Sequence, residues 1–137
     1  LYENKIVVLC DLEKNTTIHK NKAIKIFETI KMNIIQMDAK QHDIHACYMS
    51  HLPHAISFGL ANTVMDHESS KEILALAAGG FKDMSRIAKS SSAMWNDIFR
   101  QNRENLLESI SSFQYQLQKC KNMIENEEWE ELNSWMK

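Results

Sequence analysis

Glycine and proline are scarce in this chain: three glycines and one proline stand among 137 residues. So few turn formers cannot punctuate an all-β sandwich, and long helices are the expected alternative. Excess charge of either sign is also missing. Sixteen basic residues face eighteen acidic ones, a net charge of −2, so no basic field argues for nucleic acid. No apolar run reaches the ~18 residues that a membrane helix needs, and no signal peptide is visible. Cysteine is limited to Cys10, Cys47 and Cys120. An odd, scattered set without C-x-x-C spacing points to reduced thiols and a cytoplasmic setting. What is present is 44% hydrophobic and 25% charged, the balance of one globular domain with a real core.

Lys5–Cys10 (KIVVLC) is a short, β-branched, continuously apolar run, expected to be a strand buried on both faces. Thr16 or Thr17 can cap a helix, and Ala23, Ile26, Phe27 and Ile30 give residues 19–31 one apolar face. Asn33–Met37 (NIIQM) reads as a second strand. Residues 1–38 are thus expected to form a β-α-β unit. Two strands buried on both faces need neighbours. The unit therefore reads as the end of a Rossmann-like domain whose remainder is absent, as the start at Leu1 also suggests. A small α+β fold with a two-stranded edge is the alternative.

Residues 39–137 are expected to be all-helical. Asp38 is a good N-cap for a long helix containing Pro53 and four of the six histidines, His42, His45, His51 and His54. Either that helix kinks at Pro53, or a second one starts with Pro53 in its first turn. At about 100° per residue, Asp43, Cys47, Ser50 and His54 fall within roughly 40° of each other, placing a carboxylate, a thiol, a hydroxyl and an imidazole on one stripe. Gly79-Gly80 is expected to end a helix in a left-handed turn. Asp83 and Arg86 would be neighbours on the next one. Leu106, Ile110, Phe113, Leu117, Cys120 and Ile124 alternate steps of four and three, a seam for another helix. Trp129, Leu132, Trp135 and Met136 mark a last amphipathic helix.

From the residues alone, the histidine-rich helix has three readings. Its histidines are satisfied core groups, or metal ligands spaced as H-x-x-H, or part of an organic active site. Only three of the sixteen basic residues are arginines. Arg86 follows the Gly-Gly pair, and its planar fork suits a carboxylate. A structural Asp83–Arg86 pair is the plainer account.

Three linked blocks add a resemblance: Ser50-His51-Leu52-Pro53-His54-Ala55, then Gly79-Gly80-Phe81-Lys82-Asp83-Met84-Ser85-Arg86-Ile87-Ala88, then Met94-Trp95-Asn96-Asp97-Ile98. Their order and spacing resemble the C-terminal helical domain of prephenate dehydrogenase. The resemblance extends over essentially the whole chain. It implies oxidative decarboxylation of prephenate, or of arogenate, with NAD or NADP, in tyrosine biosynthesis.

The same resemblance implies roles. His54 and Ser50 would serve catalysis and line the pocket, with His51 beside them. Arg86 would bind a substrate carboxylate, oriented by Asp83. Gly79 would allow close backbone approach, and Trp95 would pack at the pocket rim. Asp43 and His42 would face the nicotinamide end, and the long helices would form a homodimer. No metal, nucleic acid or membrane is implied. Departures accompany these matches. The chain has no G-x-G-x-x-G, and the family's main catalytic histidine lies upstream of the matching stretch. By itself, the chain is expected to be inactive and unable to hold the dinucleotide pyrophosphate. A metal-dependent helical hydrolase and a non-catalytic dimerisation module are the competing functions.

Overall fold

A computed structural model describes all residues, Leu1–Lys137. The chain divides into two compact units, Leu1–Ala46 and Cys47–Lys137. In the first unit, helix α2, Ala39–Ala46, packs on the strand β1, Ile6–Cys10.

In the first unit, β1 pairs in parallel with β2, Asn33–Met37, from Ile6↔Asn33 to Cys10↔Met37. The crossover is α1, Thr17–Thr29, which packs on β2. Thr16 caps it: its side chain accepts the His19 N–H at 3.4 Å. The expected β-α-β unit is present, but neither strand is buried within this chain. Ile6 is 63% exposed and Ile35 39% exposed, because only two strands are there to cover each other. Asp11 closes the unit. It sits at φ 52°, a left-handed conformation that aspartate tolerates. Its carboxylate bonds Lys14 Nζ at 2.6 Å and the Ala39 N–H at 3.0 Å. Those two bonds, that of Lys14 first, hold the Asp11 carboxyl below the usual carboxylate range. Asp38 caps α2 as expected, accepting the Gln41 N–H at 2.9 Å.

The second unit begins with a π-helical turn, Cys47–His51, which passes without interruption into α3, Leu52–Met65. Pro53 lies in the first turn of α3, where its missing N–H costs least. Then come α4 (Ser70–Ala75), α5 (Gly79–Ser85) and a 3-10 turn, Arg86–Lys89. The remaining helices are α6 (Ser92–Gln101), α7 (Arg103–Glu125) and α8 (Trp129–Trp135). Helix α3 is central: α4, α5, the 3-10 turn and α7 all pack on it. Ser57 is 2% exposed, and its hydroxyl donates to the Met84 carbonyl at 2.7 Å, tying α5 to α3. Trp95, Leu106 and Met123, with Cys47, are the buried apolar side chains.

Two sequence expectations need correction here. Gly79-Gly80 does not end a helix in a left-handed turn: the pair opens α5, and neither glycine has positive φ. The preceding helix already ends at Ala75. The stripe of Asp43, Cys47, Ser50 and His54 assumed a constant 100° per residue. The i→i+5 turn at 47–51 breaks that count, and Cys47 is wholly buried. The thiol faces Ser109 of α7, Sγ to Oγ 3.2 Å. Ser109 gives its one proton to the Leu106 carbonyl, so the thiol is the donor to Ser109. The seam along α7 is covered only at its beginning. Leu106 is 6% exposed, whereas Leu117 is 57% and Ile124 is 49% exposed.

Candidate functional site

The histidines of the π turn and of α3 meet α6. Trp95 is 6% exposed and packs flat on the His54 ring, centroids 3.6 Å apart at 23°. His51 meets the same indole edge-on, at 6.1 Å and 73°. Phe99 tilts against Trp95 at 5.6 Å. Trp95 and His54 are therefore packed face to face. Its buried Nε1–H has no hydrogen-bond partner in the chain. A buried donor of this kind is uncommon, because leaving it unmade costs about 1–3 kcal/mol.

The His54 tautomer follows from one hydrogen bond. Its Nδ1 lies 2.9 Å from the Ser50 carbonyl. A carbonyl only accepts, so Nδ1 carries a proton and neutral His54 presents the Nε2 lone pair. Ser50 thus takes part through its backbone. His51 is held differently, with Asn102 Nδ2 at 3.2 Å from its Nδ1.

The carboxylate-binding candidates lie on the next elements. Arg86 starts the 3-10 turn that packs on α3, two residues after the Met84 carbonyl that Ser57 holds. It is exposed and makes no ion pair or hydrogen bond within the chain. The expected structural pair with Asp83 is therefore not formed. Asp83 is exposed on α5. A Cβ on Gly79 would meet Asp83 Oδ2 at 4.0 Å, an ordinary contact. Nothing inside the chain requires glycine there, so any such requirement comes from a ligand or a second copy.

His42 and Asp43 belong to the first unit, on α2, with His42 Nδ1 3.1 Å from Asp43 Oδ1. No phosphate cradle accompanies them. The glycines are Gly59, Gly79 and Gly80, none of which follows a strand, and the β1–α1 connection is Asp11–Thr16. The residues present do not fit the pyrophosphate of a dinucleotide. The metal reading fares no better, since no three histidine, cysteine or carboxylate side chains are grouped so that they could hold an ion. Sequence reasoning missed Ser57 and Asn102, the residues that fix α5 and His51. Their one visible signal was polarity within apolar or junction segments.

The chain thus carries a β-α-β unit followed in sequence by helices that hold a histidine–tryptophan stack and an arginine without an ion pair in the chain. The profile of the prephenate dehydrogenase dimerization domain matches residues 38–137. Prephenate dehydrogenase of Bacillus subtilis is 28% identical over all of this chain and 37% of its own length. Cyclohexadienyl dehydrogenase of Zymomonas mobilis is 34% identical over 74% of the chain and 36% of its own. The crystal structure of Aquifex aeolicus prephenate dehydrogenase, in complex with hydroxyphenyl propionate and NAD+, superimposes with a TM-score of 0.91. It is 34% identical and covers 98% of this chain and 48% of that one. The chain belongs to the prephenate dehydrogenase family. It spans about a third of the length of the curated relatives it matches.

Proposed function

We propose that the protein to which this chain belongs oxidatively decarboxylates prephenate or arogenate, with NAD or NADP as oxidant, and that this chain supplies the substrate half of the site. The observation that carries the reading is the pairing of a buried, unpartnered indole N–H with a histidine stacked upon it. His54 presents Nε2 beside that indole, and the indole N–H is a donor that nothing in the chain satisfies.

His54 is proposed to accept a proton or hydrogen bond at Nε2, with Ser50 fixing its ring through the backbone carbonyl. Arg86 is proposed to hold a substrate carboxylate as a bidentate partner. His51 and Trp95 position the ring between them. Gly79 and Asp83 are proposed to act toward the ligand or toward a second copy. His42 and Asp43 are proposed to face the nicotinamide end, while the phosphates are held by residues outside this chain. The open part of the α7 seam, Leu117 to Ile124, supports a homodimer. No helix is long and apolar enough to cross a membrane, and all three cysteines are free thiols. A cytoplasmic setting agrees with both.

The test is a steady-state assay of the intact protein with prephenate and arogenate, each with NAD and NADP. Reduction of the dinucleotide with release of carbon dioxide is expected for at least one pair. No reduction with any pair, by folded protein, would overturn the reading.

A further inference from the structure

We infer that Ser57 is a positioning residue for Arg86: its buried hydroxyl fixes the turn that carries the guanidinium to the helix that carries His54. This rests on the reading of the site given above. A hydroxyl within an α-helix readily donates to a carbonyl one turn back on its own helix. Thr29, Thr63 and Ser85 do so, at 2.6, 2.8 and 2.6 Å, to the carbonyls of Lys25, Gly59 and Phe81. Ser57 bonds elsewhere. Its Oγ donates at 2.7 Å to the carbonyl of Met84, 27 residues further along the chain. Ser57 is 2% exposed, so water is kept from the bond and cannot replace it cheaply.

The acceptor sits where the chain changes its winding. Helix α5 ends at Ser85, and the 3-10 turn Arg86–Lys89 follows directly. Carbonyls in the last turn of an α-helix lose their regular supply of N–H donors, and the tighter winding beyond draws on different ones. Met84 lies in that last turn, two residues before Arg86. A donor from outside the segment therefore holds the backbone close to the point where the Arg86 side chain departs. Ser57 lies on α3 three residues after His54, a spacing that makes the two neighbours on the helix surface. The imidazole and the anchor of the arginine turn thus share one rod, and the turn packs on that rod. Arginine has a long side chain that loses rotamer freedom when it grips a carboxylate. A fixed backbone beneath it lowers that cost in advance. Arg86 has no ion pair in the chain, so the backbone is what places it.

The experiment is a double-mutant cycle of Ser57→Ala and Arg86→Ala in the intact protein, read by steady-state kinetics, together with hydrogen exchange of the backbone amides. Ser57→Ala alone is expected to lower kcat/KM about tenfold, mainly through KM. In the Arg86→Ala background the same substitution is expected to cost less than about twofold, because the group it positions is gone. In Ser57→Ala the amides of residues 85–90 are expected to exchange about tenfold faster or more, while those of α6 keep their rates. Ser57→Cys keeps the size and weakens the donor. It is expected to move both readouts the same way by a smaller factor, and it carries the test where the alanine protein does not fold. An equal loss of kcat/KM with and without Arg86, unchanged exchange at 85–90, or exchange raised alike in every helix would overturn the inference. Absence of turnover in folded wild type counts against the proposed activity, and the exchange pattern then decides whether Ser57 holds the turn.

Discussion

Replacing Arg86 with alanine in the intact protein is expected to raise the KM for substrate about a hundredfold, with kcat changed by no more than about threefold. Two charge-assisted bonds to a carboxylate, at about 1.5 kcal/mol each, account for that factor. Binding energy that ground state and transition state share equally shows up in KM when it is removed. The fold gives the prediction its sharpness. Arg86 is exposed and has no ion pair within the chain, so its removal is expected to leave stability within about 0.5 kcal/mol. Arg86→Lys keeps a charge but loses the fork, and about tenfold of the effect is expected to remain. Steady-state kinetics together with a thermal melt check both statements. An unchanged KM would remove Arg86 from the site. A large drop in melting temperature would show it to be structural instead.

Trp95 carries the second large effect, and two substitutions separate its two roles. Trp95→Ala removes a buried aromatic from beneath His54 and is expected to destabilise the second unit by about 3–5 kcal/mol. Trp95→Phe keeps an aromatic floor and deletes only the indole N–H, which has no partner in the chain. Removing an unpaired buried donor relieves a cost and offsets the smaller volume. Its stability is therefore expected to stay within about 1 kcal/mol of wild type. If the N–H serves the ligand, the same variant binds substrate about tenfold more weakly. Denaturant unfolding and substrate titration of both variants decide the matter. Unaltered binding by Trp95→Phe would leave Trp95 a packing residue.

Much of the framework was legible because local rules fixed it. Asp38 and Thr16 cap where their positions say they should. The β-branched runs pair as strands, and the alternating apolar steps from Leu106 to Ile124 lie on one helix. The π turn was not legible, since an i→i+5 bond leaves no mark in a periodicity that assumes i→i+4. The same blindness produced a polar stripe that included Cys47, a side chain the fold buries against Ser109. Gly79-Gly80 carried a composition signal for a turn, but a left-handed turn needs positive φ and these residues begin a helix instead.

The site divides in the same manner. His54, His51, Trp95 and Arg86 are candidates by motif resemblance, which supplies residue types without their surroundings. That Trp95 lies flat beneath His54, that Ser57 ties the segment before Arg86 to α3, and that Asn102 reaches His51 are tertiary facts. Each joins residues far apart in the chain, beyond the reach of any local pattern.

The central claim is that α3 and α6 together form the bed on which the aromatic ligand lies. Its most direct test is a crystal structure of the intact protein with 4-hydroxyphenylpyruvate. The ring is expected within hydrogen-bond reach of His54 Nε2 or Trp95 Nε1, with its carboxylate on the Arg86 guanidinium of the same or the partner subunit. A ligand bound elsewhere, with the His54–Trp95 stack and Arg86 untouched, would contradict the account.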